Sequence, residues 1–305
     1  MSAPADPSDK LLYLENVYKS YGPTLILDDI DLSVRPGEFC SVVGPSGCGK
    51  STLLRLILGA EPPTAGRVLL EGEAIGHPDP RRGIVYQRYS LFPHLTVLEN
   101  VLLGKRLSAG FWSWRRERPA CVEEACALLR TMRLEGDRDK YPYELSGGMQ
   151  QRVAIAQALI MRPKILLMDE PFGALDPGVR EDMQVHLLET WERLRMTVFF
   201  VTHDLSEAVF LGTRVLVLSQ FYTDERGDGF ARGARVVGDY ALADEANSTA
   251  IKRTGRFADL VETIRREGFE PEVRQHVDTF NLVHPDSWRS LDPREAGGSA
   301  PKSLS

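Results

Sequence analysis

Apolar residues in this chain gather in short unbroken runs, 39–43 (FCSVV), 165–168 (ILLM) and 199–201 (FFV), each followed within two residues by glycine, carboxylate or histidine. Such runs suit strands buried on both faces of a parallel sheet whose carboxyl ends open on a ligand crevice. Nearer the N-terminus, LLYLENV (11–17) and ILDDIDLSV (26–34) also read as strands, the second alternating apolar and polar residues with period two. The polar turn RPGE (35–38) then carries the chain into the run at 39–43. Helical patterns cover 50–58, 118–133, 149–161 and 245–268, and Thr96 with Glu99 forms a capping box that opens another. No run approaches the roughly 18 apolar residues of a membrane-spanning helix. MSAPADPSDK lacks the basic start and apolar core of a signal peptide, so a cytoplasmic chain is expected.

Candidate chemistry sits where these runs end. Gly44-Pro45-Ser46-Gly47-Cys48-Gly49-Lys50-Ser51 fits G-x-x-x-x-G-K-[ST] between a strand and a helix. Its backbone N–H groups can turn inward around phosphate oxygens, Lys50 can reach the β and γ phosphates, and the helix N-terminus adds partial positive charge. The loop alone does not separate a transporter ATPase from a GTPase or a small-molecule kinase. Asp169 and Glu170 end the run at 165–168, so one can hold Mg²⁺ and the other can orient and deprotonate an attacking water. Ser146-Gly147-Gly148 opens the helix at 149–161 and offers a hydroxyl, two accessible N–H groups and a dipole end, which together make an anion site.

The ordered set GPSGCGKS, LSGGMQQ (145–151) and ILLMDE resembles the signature of ATP-binding cassette (ABC) ATPases, over roughly residues 11–240. The resemblance implies an α/β P-loop core with a parallel sheet, an N-terminal antiparallel β subdomain and an inserted α-helical subdomain at about 88–162. It implies that Thr52 joins the phosphate loop in binding ATP, that Ser51, Asp169 and Gln87 hold Mg²⁺ or its water, and that Glu170 is the general base. His203 matches the switch histidine, and Gly173-Ala174-Leu175-Asp176 matches the D-loop. Asp176-Pro177 also reads locally as an N-cap followed by a helix-opening proline. Tyr21 in VYKSYG matches the aromatic that stacks on adenine, with Tyr13 and Tyr18 as nearby alternatives. Ser146, Gly147, Gly148 and Gln151 would meet the γ phosphate held by another subunit, implying a head-to-tail dimer of identical or paired ATPase subunits. Two departures stand out: Gln157 occupies a position where many members carry Arg, and 220–233 lengthens a connection that is usually a tight turn.

Because one set of motifs is present without spans, the implied permease is a separate integral-membrane chain. A solute-binding protein is expected within the same importer, and the ATPase is placed peripherally on the inner face of the membrane. MDEPFGALDP and QQRVAIAQAL look most like the nitrate, sulfonate and taurine importer group. A soluble ABC ATPase acting in DNA repair, translation or iron–sulfur assembly is the alternative; the chain shows neither a coiled-coil or zinc insertion nor a second cassette.

Charge and cysteines refine this picture. The 37 basic and 43 acidic residues leave a net charge of −6 without a basic block, which argues against a nucleic-acid partner. Cys40, Cys48, Cys121 and Cys126 show neither a C-x-x-C pair nor histidines at metal spacing. Cys48 lies near Lys50 and a helix N-terminus, so an unusually reactive thiol is expected there. AGFWSWRRER (109–118) reads as a solvated loop with its aromatics tucked onto the helical subdomain, or as a contact with headgroups or the membrane subunit. Residues 1–10 read as a flexible N-terminus, 11–242 as the ATPase domain, 243–291 as a regulatory, dimer-contact or merely packed extension, and the Gly-, Ser- and Pro-rich 292–305 as a disordered tail.

Overall fold

The computed structural model describes residues 10–87, 91–226, 232–242 and 255–289. The chain opens with β1 (Leu12–Tyr21) and β2 (Thr24–Val34), then β3 (Phe39–Val43), α1 (Lys50–Leu58), β4 (Ala65–Leu70), β5 (Glu73–Ala74) and β6 (Arg82–Val85). Three helices follow: α2 (Val97–Ser108), α3 (Phe111–Thr131) and α4 (Gly147–Leu159). Next come β7 (Ile165–Asp169), α5 (Pro177–Leu194), β8 (Thr197–Val201), α6 (Leu205–Leu211), β9 (Arg214–Ser219), β10 (Tyr222–Thr223) and β11 (Arg235–Ala241). The last described elements are α7 (Gly255–Phe269), β12 (Gln275–His276) and β13 (Asn281–Leu282).

Two sheets organise the molecule. The N-terminal strands form a four-stranded antiparallel sheet in the order β2-β1-β4-β5. The central sheet runs β13-β11-β9-β3-β8-β7-β6, with β9, β3, β8, β7 and β6 mutually parallel and β11 antiparallel to β9. Its middle strands β3 and β8 are buried at every position, as the unbroken apolar runs require. One apolar cluster joins this sheet to α2, α3, α4 and α5, and a second fills the space between it and the antiparallel sheet around α1. No helix among the described residues is long and apolar enough to cross a membrane.

Residues 109–118 differ from the expected loop. Gly110 is the N-cap of α3, which continues through Pro119, so Phe111 and Trp112 ride on the helix and are 73% and 80% exposed. Of these aromatics only Trp114 packs on the core. The helix at 245–268 is described from Gly255 onward as α7; its earlier part and the segments 1–9 and 292–305 lie outside the described residues.

Residues 255–289 are built into the same layers. β13 pairs with β11, and β12 pairs with β10, which belongs to the lengthened connection. Trp288 stacks on Tyr13 with ring centroids 4.9 Å apart. Asp286 accepts from Lys10 and Arg35, each at 2.7 Å, and Asp239 pairs with the buried Arg214 at 2.7 Å. Glu38, His284 and Asp286 bring ligand-type atoms within 4.8 Å of one another, but the carboxylates already face Lys10, Arg35 and Arg214.

Candidate active site

Strand register assembles the site. Val42 of β3 and Asp169 of β7 both lie beside Val201 of β8, so the segments after these strands emerge at one level of the sheet. The phosphate loop leaves β3, Glu170 leaves β7, and Thr202 and His203 leave β8. The Glu170 N–H donates to the Val201 carbonyl at 3.0 Å, carrying the pairing one residue past β7.

Close packing of the phosphate loop demands glycine. A Cβ on Gly44 would lie 2.1 Å from the Leu218 carbonyl oxygen. Gly49, the N-cap of α1, has φ 101°, and its Cβ would press within 2.8 Å of Ile26. Inside the loop the buried Lys50 ammonium donates to the carbonyls of Gly44 and Pro45 at 2.7 and 2.9 Å. Ser46 and Gly47 are exposed at its tip, whereas Thr52 is buried.

Cys48 corrects an expectation. It is 1% exposed, and burial pushes its thiol pKa up despite the opposing influence of Lys50, so proximity to a cation and a helix end does not make it a reactive thiolate.

A hydroxyl–carboxylate pair and a carboxylate–imidazole pair stand at the carboxyl ends of β7 and β8. The Ser51 hydroxyl donates to Asp169 Oδ1 at 3.2 Å. Burial raises the Asp169 pKa, the Ser51 hydrogen bond opposes this, and the neighbouring Glu170 charge adds to the rise. Glu170 adopts φ 47°, and its Oε2 lies 3.2 Å from His203 Nδ1. Gln87, just beyond β6, reaches the same place: a Cβ on Gly173 would lie 3.2 Å from its Nε2 and 3.9 Å from Glu170 Oε2. Tyr21 is exposed beside α1; its hydroxyl donates to Glu61 and accepts from Arg55 at 3.4 Å, and the Lys19 ammonium sits 5.0 Å from its ring centroid.

The remaining expected residues lie at the starts of α4 and α5, and Gln151 among them is buried rather than presented to a partner. Ser146 is the N-cap of α4, its hydroxyl accepting from Met149 N–H at 3.4 Å, and Gly148 packs so tightly that a Cβ would meet Val179 at 2.6 Å. Gln151 is fully buried, and neither atom of its amide has a hydrogen-bond partner among the described residues. Asp176 is the N-cap of α5 without a side-chain capping bond. Among the described residues, no hydrogen bond joins Ser146, Gln151 or Asp176 to the phosphate loop. Arg152 ties α4 to the end of α3, donating to the Met132 and Gly148 carbonyls at 3.2 and 3.4 Å. Sequence reading missed the Thr202–Glu207 hydrogen bond at 2.6 Å beside His203, because a glutamate in a first helical turn looks like an ordinary response to the helix dipole.

Comparisons with known proteins place this arrangement. The family model described as ABC transporter matches residues 27–173. An uncharacterised ABC transporter ATP-binding protein of Methanocaldococcus jannaschii is 51% identical over 193 residues, 63% of this chain and 70% of that protein. The taurine import ATP-binding protein of Rhizobium johnstonii is 44% identical over 252 residues, covering 80% of this chain and 90% of its own length. Among solved structures, a component of an ABC transporter complex from Clostridium perfringens superposes with a TM-score of 0.66 at 26% identity, covering 83% of this chain and 99% of that one. With relatives of this likeness and coverage and the same cassette fold, the chain belongs to the ABC transporter family and is an ATP-binding, ATP-hydrolysing transporter subunit.

Proposed function

We propose that the chain energises import of a small solute through a separate permease, with Glu170 as the base that activates water. The observation carrying this reading is the Glu170–His203 pair, 3.2 Å apart at the carboxyl edge of β7 and β8 and level with the phosphate loop. In this assignment Lys50 leaves the Gly44 and Pro45 carbonyls to meet the β and γ phosphates, and the backbone N–H groups of the loop from Ser46 to Thr52 hold the phosphate chain, Pro45 having none to donate. Tyr21 stacks on adenine. Ser51 and Asp169, with Gln87, supply the hard oxygen donors that suit Mg²⁺, which when bound neutralises phosphate charge. Glu170 takes a proton from water as the water oxygen attacks the γ phosphorus, the bond to the β-phosphate oxygen breaks, and ADP departs. His203 holds Glu170 and the γ phosphate in line.

Ser146, Gly147 and Gly148 complete the site of a second subunit, with Asp176 at the junction, in a head-to-tail dimer; Gln151, expected to join them, is fully buried and does not reach the partner's phosphate. The separate placement of these groups within one chain supports this reading. Relatives named for taurine, nitrate and bicarbonate match comparably to those named for sulfate and polyamines. The taurine relative, matched over 90% of its own length at 44% identity, supports a solute of the nitrate, sulfonate and taurine kind, delivered by a solute-binding protein.

The test is Glu170→Gln. Turnover should fall by roughly 10² to 10⁴ with ATP binding retained. Purified from native membranes with ATP and Mg²⁺, this variant should bring along a multi-span permease. Normal hydrolysis would refute the base; ribosomal or DNA-repair proteins in place of the permease would refute transport.

A further inference from the structure

His203 is held from behind by a buried relay. Thr202, the residue between β8 and His203, donates its hydroxyl to Glu207 Oε2 at 2.6 Å. The same hydroxyl accepts from the Asp204 N–H at 3.1 Å, so it is fixed on both sides. Glu207 Oε1 accepts from Gln184 Nε2 at 2.9 Å, and Gln184 lies on α5 two turns beyond Asp176. Asp204 accepts from the Ser206 and Glu207 amides and locks the first turn of α6. Glu207 is only 6% exposed. Burial raises its pKa, opposed by Thr202 and Gln184 in turn; Asp204 adds to the rise, and Arg180 on α5 lowers it. A carboxyl group placed this deep costs stability unless its bonds hold something in place. Here both oxygens are spent on joining the loop before His203 to the helix that begins at Asp176.

We infer that Glu207 is a positioning residue that clamps the His203 loop to α5, so that a shift of α5 is transmitted to the histidine facing Glu170. The inference rests on the assignment of Glu170 and His203 made above. It goes further by giving the chain an internal link between the Asp176 end of α5 and the water-activating pair. Because the relay touches neither the phosphate loop nor Tyr21, it sets turnover rather than ATP affinity.

The experiment is steady-state ATP hydrolysis by the full chain with Mg²⁺. Glu207→Leu should lower kcat on the order of ten-fold, since small misplacements of a catalytic group are amplified in rate, with KM for ATP changing by less than about two-fold. Thr202→Val should give the same loss, and combining the two should add little. Glu207→Gln should restore kcat to within about two-fold, because its carbonyl accepts from Thr202 while a flipped Gln184 amide accepts from its NH₂. In a His203→Ala background, Glu207→Leu should have no further effect. The same fractional loss in that background, or a rise in KM at constant kcat, would overturn the relay alone. Unimpaired turnover by His203→Ala would overturn the site assignment and the relay with it. If Glu207→Leu does not fold, the Thr202→Val and His203→Ala pair decides the question by the same criterion.

Discussion

Truncating Trp288 to alanine tests whether the C-terminal segment is part of the folded core or an appendage. Trp288 is 6% exposed and lies nearly parallel to Tyr13, with centroids 4.9 Å apart and planes 9° from each other. A buried tryptophan removes about 150–250 Å² from water, and at about 25 cal/mol/Å² this contributes about 4–6 kcal/mol. Its indole N–H has no hydrogen-bond partner among the described residues, which offsets about 1–3 kcal/mol. The net cost of Trp288→Ala is therefore about 3 kcal/mol, within the range for large-to-small substitutions. Trp288→Phe keeps the stack on Tyr13 and removes the stranded donor, so it should cost less than about 1 kcal/mol. Urea unfolding followed by circular dichroism measures both, provided the slope is unchanged so that midpoints report stability. A loss below about 1 kcal/mol for the alanine variant would mean that the segment does not share the core's cooperative unit. Equal losses for alanine and phenylalanine would mean that the stack is not what holds it.

Two further predictions follow from burial and charge. A maleimide added to the folded protein should modify the half-buried Cys121 and Cys126 well before Cys48 and Cys40, whose thiol pKa values are both raised by burial, as peptide mass spectrometry would show; rapid stoichiometric labelling of Cys48 would refute its enclosure. Burial would raise the pKa of Asp286, but Lys10 and Arg35 reverse this and lower it; at Asp224 burial is likewise outweighed, here by Arg226 and Arg232, and its pKa is held well below the usual carboxylate range. A depressed folded pKa gives stability that is complete above the unfolded value and lost as protons bind, so urea midpoints should fall as pH drops from about 5 through 4 and lower. The fall should be shallower when Asp224 and Asp286 are both replaced by asparagine; parallel slopes would refute the linkage.

What was legible in the sequence was local. The phosphate loop, the carboxylates after 165–168 and the histidine after β8 each declare themselves through a short apolar run and the residues that end it, and sheet pairing needs only to bring those ends level. The start of α3 was not legible, because Pro119 and the arginines before it look like a boundary, while the structure keeps the helix through the proline. Nor was the enclosure of Cys48, which depends on the Gly44 backbone lying against the thiol: a Cβ there would come within 2.8 Å of Cys48 Sγ. The C-terminal clasp depends on partners as distant as Lys10 and Asp286, 276 residues apart, and no periodicity encodes such a contact.

Neighbouring carboxylates on a strand point to opposite faces, which poses a problem for Asp169 and Glu170, since the proposed function places both at one crevice. Asp169, the last residue of β7, meets Ser51 in extended conformation. An extended Glu170 would turn its side chain away. Instead it adopts φ 47°, a left-handed conformation that costs a non-glycine residue about 1–2 kcal/mol. That strain persists because its N–H is held by Val201 and its carboxylate by His203, both from the β8 side. The register between β7 and β8 therefore sets the proposed Glu170–His203 pair: a slip of one residue would release the Val201 bond, let Glu170 relax into the extended region and separate it from His203. The buried strand pair that builds the core thus also holds a strained glutamate beside His203, and two adjacent acids are turned toward two different partners, Ser51 and His203.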